Sequence, residues 1–290
     1  MTTVKIAAIQ MNSGEDVAAN LTRARRALRS AAADGAVLAV LPENFARMGK
    51  RESDRIAITE ENNAGPLQDF LAAEAARAKM WIVGGTIPLK SDDPKRPCAS
   101  ALVYDADGKR VGRYDKIHLF DVRVPESQEA YRESQSATPG TRPLIVETPW
   151  GNLGVAVCYD LRFPEQFRRM ANQGMDILAI PAAFTYRTGL AHWEVLLRAR
   201  AIENLCYVVA AAQTGTHPAG RQTYGHSMVV DPWGAILAES PSRPGVCSAT
   251  IDPAHLKRLR QLKHDHGHEI ELFSAHDKDE FERLAHKPAV

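Results

Sequence analysis

The chain has no Cys-X-X-Cys pair; its four cysteines, Cys98, Cys158, Cys206 and Cys247, are widely spaced. This offers neither a disulfide framework nor a redox motif, and the thiols read as reduced groups of a cytoplasmic protein. No apolar run approaches the roughly 20 residues that span a bilayer, so no membrane association is expected. Neither sign of charge dominates: 36 Lys and Arg against 35 Asp and Glu leave +1, with no basic block suited to a phosphate backbone. Nucleic acid is therefore excluded as a natural partner. The glycines form no P-loop, and Gly84-Gly85 alone identifies no nucleotide site. His264, His266 and His268 alternate within a charged tail rather than a closed fold, so neither metal nor cofactor is expected. Met1–Gln10 reads as a first strand rather than a leader.

What remains is an ordinary globular composition, 290 residues with 44% hydrophobic and 7% aromatic side chains, enough for one large domain or two small ones. Strand Val4–Gln10 precedes a helix over about Glu15–Ala33, where Ala18, Leu21, Ala24 and Leu28 keep helical spacing and Gly35 supplies the stop. Strand Val37–Leu41, a helix over about Pro66–Lys79, and strands Trp81–Thr86, Ala99–Tyr104 and Lys109–Arg113 follow. From Leu144 the same grammar returns. Strands Leu144–Thr148 and Leu153–Cys158, a helix over about Pro164–Asn172, strand Asp176–Ile180, a helix over about His192–Asn204 and strand Cys206–Ala212 lead to a hairpin around Asp231–Gly234. Strand Val246–Ile251 and a helix Pro253–His264 close the series. This alternation predicts an α/β fold of two mixed sheets packed face to face between helical layers, with an internal pseudo-twofold. No Pro/Gly/Ser-rich linker separates the halves, which favours one domain over residues 1–264 and a charged C-terminal arm over 265–290.

Three apolar stretches stop abruptly at ionisable groups. The run from Leu153 ends at Cys158, Val37–Leu41 runs into Pro42-Glu43, and Arg110–Asp115 runs into Lys116. Strand ends are where α/β folds concentrate chemistry. Each residue also has a plainer reading: Cys158 as a small core hydrophobe, Glu43 as a cap, and Lys116 in a salt bridge with Asp115 or Asp121. Together they supply a nucleophile, a base and a cation for a developing oxyanion, the minimum set for acyl transfer.

The stretches Leu41-Pro-Glu-Asn44, Arg113-Tyr-Asp-Lys-Ile-His-Leu-Phe-Asp121 and Gly154-Val-Ala-Val-Cys-Tyr-Asp-Leu-Arg-Phe-Pro164 stand in chain order as the three motifs of the nitrilase superfamily of carbon–nitrogen hydrolases, which the chain resembles over about residues 4–260. Within it, Phe184, Thr188-Gly189, Ala191–Glu203 and Tyr224–Gly234 are most similar to the deaminated glutathione amidase branch. The resemblance implies a four-layer αββα sandwich, a homodimer or higher homo-oligomer, and a cofactor-free amidase acting on a small-molecule amide. It implies Glu43 as general base, Lys116 as oxyanion stabiliser and Cys158 as nucleophile forming a thioester. A second glutamate that orients Lys116 falls on Glu133, with Glu126 and Glu129 as nearby alternatives. Tyr159, Phe184, Thr185, Arg187, Thr188 and His192 are the candidate substrate contacts, and Arg198 and Arg221 further candidates to meet an acidic acyl group. The branch implies cleavage of deaminated glutathione to 2-oxoglutarate and Cys-Gly. An ω-amidase on 2-oxoglutaramate or an N-carbamoyl amidase is the alternative, while a non-catalytic scaffold would need one of the three key residues lost.

Overall fold

Strands buried on both faces need helices to cover them and neighbours to take their backbone groups, and this chain meets both needs twice. The structure, a computed structural model, describes residues 2–123 and 130–265. In the first half, strands Val4–Gln10, Ala36–Val40 and Trp81–Val83 run parallel and are joined by helices Val17–Ala33 and Pro66–Ala78. In the second, Gly151–Val155, Met175–Ala182 and Tyr207–Ala212 do the same, joined by helices Pro164–Asn172 and Tyr186–Asn204.

Antiparallel strands extend each trio. Cys98–Tyr104 follows Trp81–Val83 and carries Ile87–Leu89 and Arg110–Asp115, while Ser227–Val230 and Ile236–Ser240 follow Tyr207–Ala212. At the opposite edges, Leu144–Thr148 pairs with Gly151–Val155, and Gly245–Ile251 pairs with Val4–Gln10. The result is one seven-stranded and one six-stranded mixed sheet whose matching orders give the internal pseudo-twofold. Because Gly245–Ile251 returns to the first sheet, the two halves are stitched together.

Side-chain alternation builds the layers. Ile6, Ala8, Leu38 and Val40 of the first sheet share a buried cluster with Leu178, Ile180, Val208 and Ala210 of the second. Ala7, Ile9, Ala39 and Leu41 point the other way, against Leu28 and Leu71 of the covering helices. The order is therefore helix, sheet, sheet, helix. Full burial of a side chain such as Ile6 or Leu38 contributes about 1.5–3 kcal/mol, so this register is held by many small terms at once.

Four boundaries differ from the sequence expectation for physical reasons. The first helix begins at Val17, capped by Asp16, whose carboxylate accepts from the Ala19 amide at 3.1 Å. The expected strand Trp81–Thr86 breaks at Gly84-Gly85 and restarts at Ile87. Gly85 has φ +58°, and a Cβ there would lie 2.2 Å from the Pro42 carbonyl oxygen, so the break lets the Glu43 loop approach. The strand expected to reach Cys158 ends at Val155. The helix expected from His192 begins at Tyr186, which places His192 and Glu194 within the helix rather than at its start. Arg187-Thr188-Gly189 carries no apolar phase to announce that first turn. Of the charged arm, residues 266–290, including His266 and His268, lie outside the described residues.

Candidate active site

Cys158 is placed by a turn, not by the strand itself. Ala156 still donates to the Ala179 carbonyl of the neighbouring strand at 3.1 Å. Val157 then donates instead to the Asp160 carboxylate at 2.8 Å, and Cys158 adopts φ +50° to open the 3-10 turn Cys158–Arg162. A non-glycine residue in that region costs on the order of 1 kcal/mol. The fully buried Asp160 holds it there, since it also accepts from the Tyr114 hydroxyl at 2.6 Å and from the His118 amide at 2.9 Å, and its Oδ1 meets His118 Nδ1 at 2.8 Å. Tyr114 in turn accepts from Gln166 at 2.9 Å, and His118 stacks on Phe163.

Glu43 follows strand Ala36–Val40. Its backbone carbonyl accepts from Gln213 Nε2 at 3.1 Å, and Gln213 is held in turn by Ser13. The amide of the next residue, Asn44, donates to Thr86 Oγ1 at 2.8 Å. Lys116 follows strand Arg110–Asp115, with its backbone tied to Ala99 and Gly140. The Lys116 ammonium donates to Glu43 Oε1 and to Glu133 Oε2, each at 2.8 Å. Glu133 Oε2 accepts a further bond from the Phe120 amide at 2.8 Å, and Oε1 takes one from Arg55 at 3.0 Å. Asp115 and Asp121, the alternative partners for Lys116, instead bind Ser100 with Arg113 and Ser134 respectively.

Glu43, Lys116, Glu133 and Cys158 are all buried and line one cavity of about 360 Å³, a volume suited to a small molecule. Burial alone pushes the Lys116 ammonium toward neutrality, but the carboxylates of Glu133 and Glu43 outweigh it and hold the group well above its ordinary value. Burial likewise raises Glu133, yet Lys116 and Arg55 prevail and bring it down to about 2. The Cys158 thiol moves the other way. Burial and then the Glu43 carboxylate raise it well above an ordinary thiol, only partly offset by Lys116 and the Ala183 amide. A thiol so protected stays protonated, so nucleophilic attack needs a base at hand.

Phe120, Tyr131 and Phe184 form the cavity wall, and Ala219, Gly220 and Arg221 approach from the loop between strands Thr214–Thr216 and Gln222–Tyr224. The other candidate contacts lie elsewhere. Tyr159 is not among the lining residues and packs edge-on against Phe120 and Phe163. Thr185 and Thr188 bond to each other at 2.8 Å where the helix begins. Arg187 and His192 are exposed on that helix, His192 Nδ1 facing Arg162 at 3.2 Å. Arg198 binds the Gly234 carbonyl and Glu194. Phe184 lines the cavity, whereas none of residues 185–204 does. Asp160, Gln213 and Arg55 went unmarked in the sequence because their partners are distant in the chain. No group of three His, Cys, Asp or Glu arranged for a metal ion occurs among the described residues.

Residues 5–261 match the carbon–nitrogen hydrolase family. The chain belongs to that family. It is 41% identical over 261 residues to a deaminated glutathione amidase of Yersinia enterocolitica, covering 90% of this chain and 91% of that protein. Among solved structures, the Saccharomyces cerevisiae Nit3 protein, a member of branch 10 of the nitrilase superfamily, aligns with a TM-score of 0.81 at 32% identity, over 90% of this chain and 94% of that one. A mutant amidase from Nesterenkonia sp. AN1 aligns with a TM-score of 0.72 at 26% identity, over 91% of this chain and 99% of that one, and shows acrylamide added to its active-site cysteine. This chain is thus a nitrilase-superfamily amidase acting on carbon–nitrogen bonds. No helix among its described residues is long and apolar enough to cross a membrane.

Proposed function

We propose that this amidase cleaves deaminated glutathione to 2-oxoglutarate and Cys-Gly through a thioester on Cys158. The observation that carries the mechanism is the buried Glu43–Lys116–Glu133 chain set beside the Cys158 thiol at the base of the cavity. The substrate follows the relatives named deaminated glutathione amidase. The acrylamide adduct in the Nesterenkonia amidase supports the cysteine as the reactive group.

Glu43 takes the thiol proton as Cys158 Sγ attacks the amide carbonyl carbon. Lys116 and the backbone amide following Cys158 hold the oxyanion. On collapse the C–N bond breaks, and Glu43 returns the proton to the departing amine of Cys-Gly. Water then attacks the thioester, losing a proton to Glu43. The C–S bond breaks to release 2-oxoglutarate, and the proton restores the thiol. Glu133 acts through Lys116, orienting the ammonium while Arg55 balances the second carboxylate.

Glu43→Gln keeps shape and removes the base, so it is expected to slow acyl-enzyme formation by about 10²–10⁴-fold, read by rapid-quench release of Cys-Gly. A wild-type rate of that first phase would remove Glu43 from the role. Competition of deaminated glutathione against 2-oxoglutaramate, N-carbamoyl amino acids and simple nitriles tests the substrate. The highest kcat/KM is expected for deaminated glutathione, and a tenfold preference for another, about 1.4 kcal/mol, would overturn it.

The protomers are proposed to pair along helix Tyr186–Asn204. Val195 and Ile202, two turns apart on one face of that helix, are 67% and 48% exposed, and Trp233 stands 75% exposed in the turn beside Ile202. Such a patch marks an interface. Sedimentation at micromolar concentration is expected to show a dimer, and a profile holding only a 31.9 kDa species would reject it.

A further inference from the structure

Asp160 is a fully buried carboxylate that no lysine or arginine among the described residues pairs with. It is satisfied instead by donors that flank two different members of the catalytic set. Its Oδ2 accepts from the Val157 amide at 2.8 Å and from the Tyr114 hydroxyl at 2.6 Å. Its Oδ1 accepts from the His118 amide at 2.9 Å and meets His118 Nδ1 at 2.8 Å. Val157 stands immediately before Cys158, whereas Tyr114 and His118 stand two residues before and two residues after Lys116. One carboxylate therefore ties the nucleophile's turn to both sides of the lysine.

Asp160 is not among the residues that line the cavity, so whatever it does for the reaction it does through its partners. Hydrogen bonds to an ionised acceptor are about twice as strong as neutral ones, and in a dry interior such a network resists displacement of its parts. We propose that Asp160 is a positioning residue that fixes the Cys158 thiol against the Lys116 ammonium, with Tyr114 as its link to the lysine strand, so that attack and oxyanion stabilisation converge on one carbonyl group. This rests on the roles given to Cys158 and Lys116 above. Misplacement of a reacting group by about 1 Å can cost on the order of 10²-fold in rate. Asparagine cannot take over the duty. Its side chain has one oxygen and one NH2 group, so whichever way it is turned, the backbone N–H of either Val157 or His118 faces another donor.

The test compares Asp160→Asn, Tyr114→Phe and the double variant in the full chain, at a temperature where circular dichroism shows each to be folded. With deaminated glutathione, Asp160→Asn is expected to lower kcat by about 30-fold or more and Tyr114→Phe by about three- to tenfold, each with KM close to wild type. The double variant should lose no more than Asp160→Asn alone, because Tyr114 acts through the carboxylate. A purely structural role would lower the melting temperature and leave kcat per folded enzyme unchanged. Alkylation of Cys158 by iodoacetamide, located by peptide mass spectrometry, needs no amide substrate and should slow about tenfold in Asp160→Asn, since the thiol must still pass its proton to Glu43. A kcat within twofold of wild type, a loss carried by KM, losses that multiply in the double variant, or alkylation at the wild-type rate would overturn the proposal. If Asp160→Asn does not fold, Tyr114→Phe decides by the same kcat criterion. Slowed alkylation in a protein that does not turn over deaminated glutathione would uphold the positioning role and remove only the substrate named above.

Discussion

Cys158→Ala is expected to lower amide turnover on the order of 10⁴-fold or more while leaving the fold in place. No other thiol can substitute. Cys98, Cys206 and Cys247 are buried, none lines the cavity, and burial first of all pushes Cys206 and Cys247 up to about 12. The structural cost is small because the substitution removes one atom and the turn is held from outside by Asp160, which accepts from Val157, Tyr114 and His118. Steady-state turnover with a thermal melt checks both parts. Activity within tenfold of wild type would show that another group attacks the amide, and loss of the cooperative melt would show that the thiol is structural.

Lys116→Ala should remove activity and also destabilise the protein, by about 3–5 kcal/mol at neutral pH, because it leaves buried carboxylates without their shared cation. The pH dependence should change with it. In the wild type Glu133 is held at about 2, below its ordinary 4.5, so its contribution is present above about 4.5 and lost as pH falls toward 2. In the variant, Glu43 and Glu133 are left with the single Arg55 guanidinium, and taking up a proton relieves the excess negative charge. Part of the lost stability should therefore return at about pH 5. Urea unfolding at the two pH values measures this. A variant as stable as the wild type at pH 7, or one that loses further stability on mild acidification, would contradict the picture of a buried charge chain.

The parts of this molecule that were legible in the sequence are those encoded by contrast between neighbours. An apolar strand that halts at a polar group marks Glu43, Lys116 and Cys158, and period-two burial marks the sheets on which they stand. What local pattern could not show is the company each residue keeps. Glu133 meets Lys116 across 17 residues of chain, and Glu126 and Glu129 lie outside the described residues. Asp160 carried no mark of its own in the sequence, because its worth as an acceptor depends on Tyr114, 46 residues earlier.

The wall of the cavity was hardest to foresee. Thr185, Arg187, Thr188 and His192 follow Phe184 closely in the chain, and proximity in sequence suggested a shared surface. None of them lines the cavity: Thr185 is buried just ahead of the helix and bonds to Thr188 in its first turn, while Arg187 and His192 are exposed on the helix. Gly189 makes the early start possible: a Cβ there would stand 2.2 Å from Tyr224 Cβ, so the helix can pack this closely only with glycine. Of the basic residues that line the cavity, Arg47, Lys50, Arg51 and Arg55 come from one segment, while Lys116 and Arg221 come from others far along the chain. Only the closed fold brings them together.

The central claim is a covalent acyl-enzyme on Cys158 derived from deaminated glutathione, and trapping it is the most direct test. Enzyme mixed with excess substrate and quenched in acid on the millisecond scale should release Cys-Gly in a burst approaching one equivalent per active site. Peptide mass spectrometry should then find a 2-oxoglutaryl thioester on the peptide containing Cys158. An adduct on Cys98, Cys206 or Cys247, or sustained release of Cys-Gly by a Cys158→Ala enzyme, would contradict it.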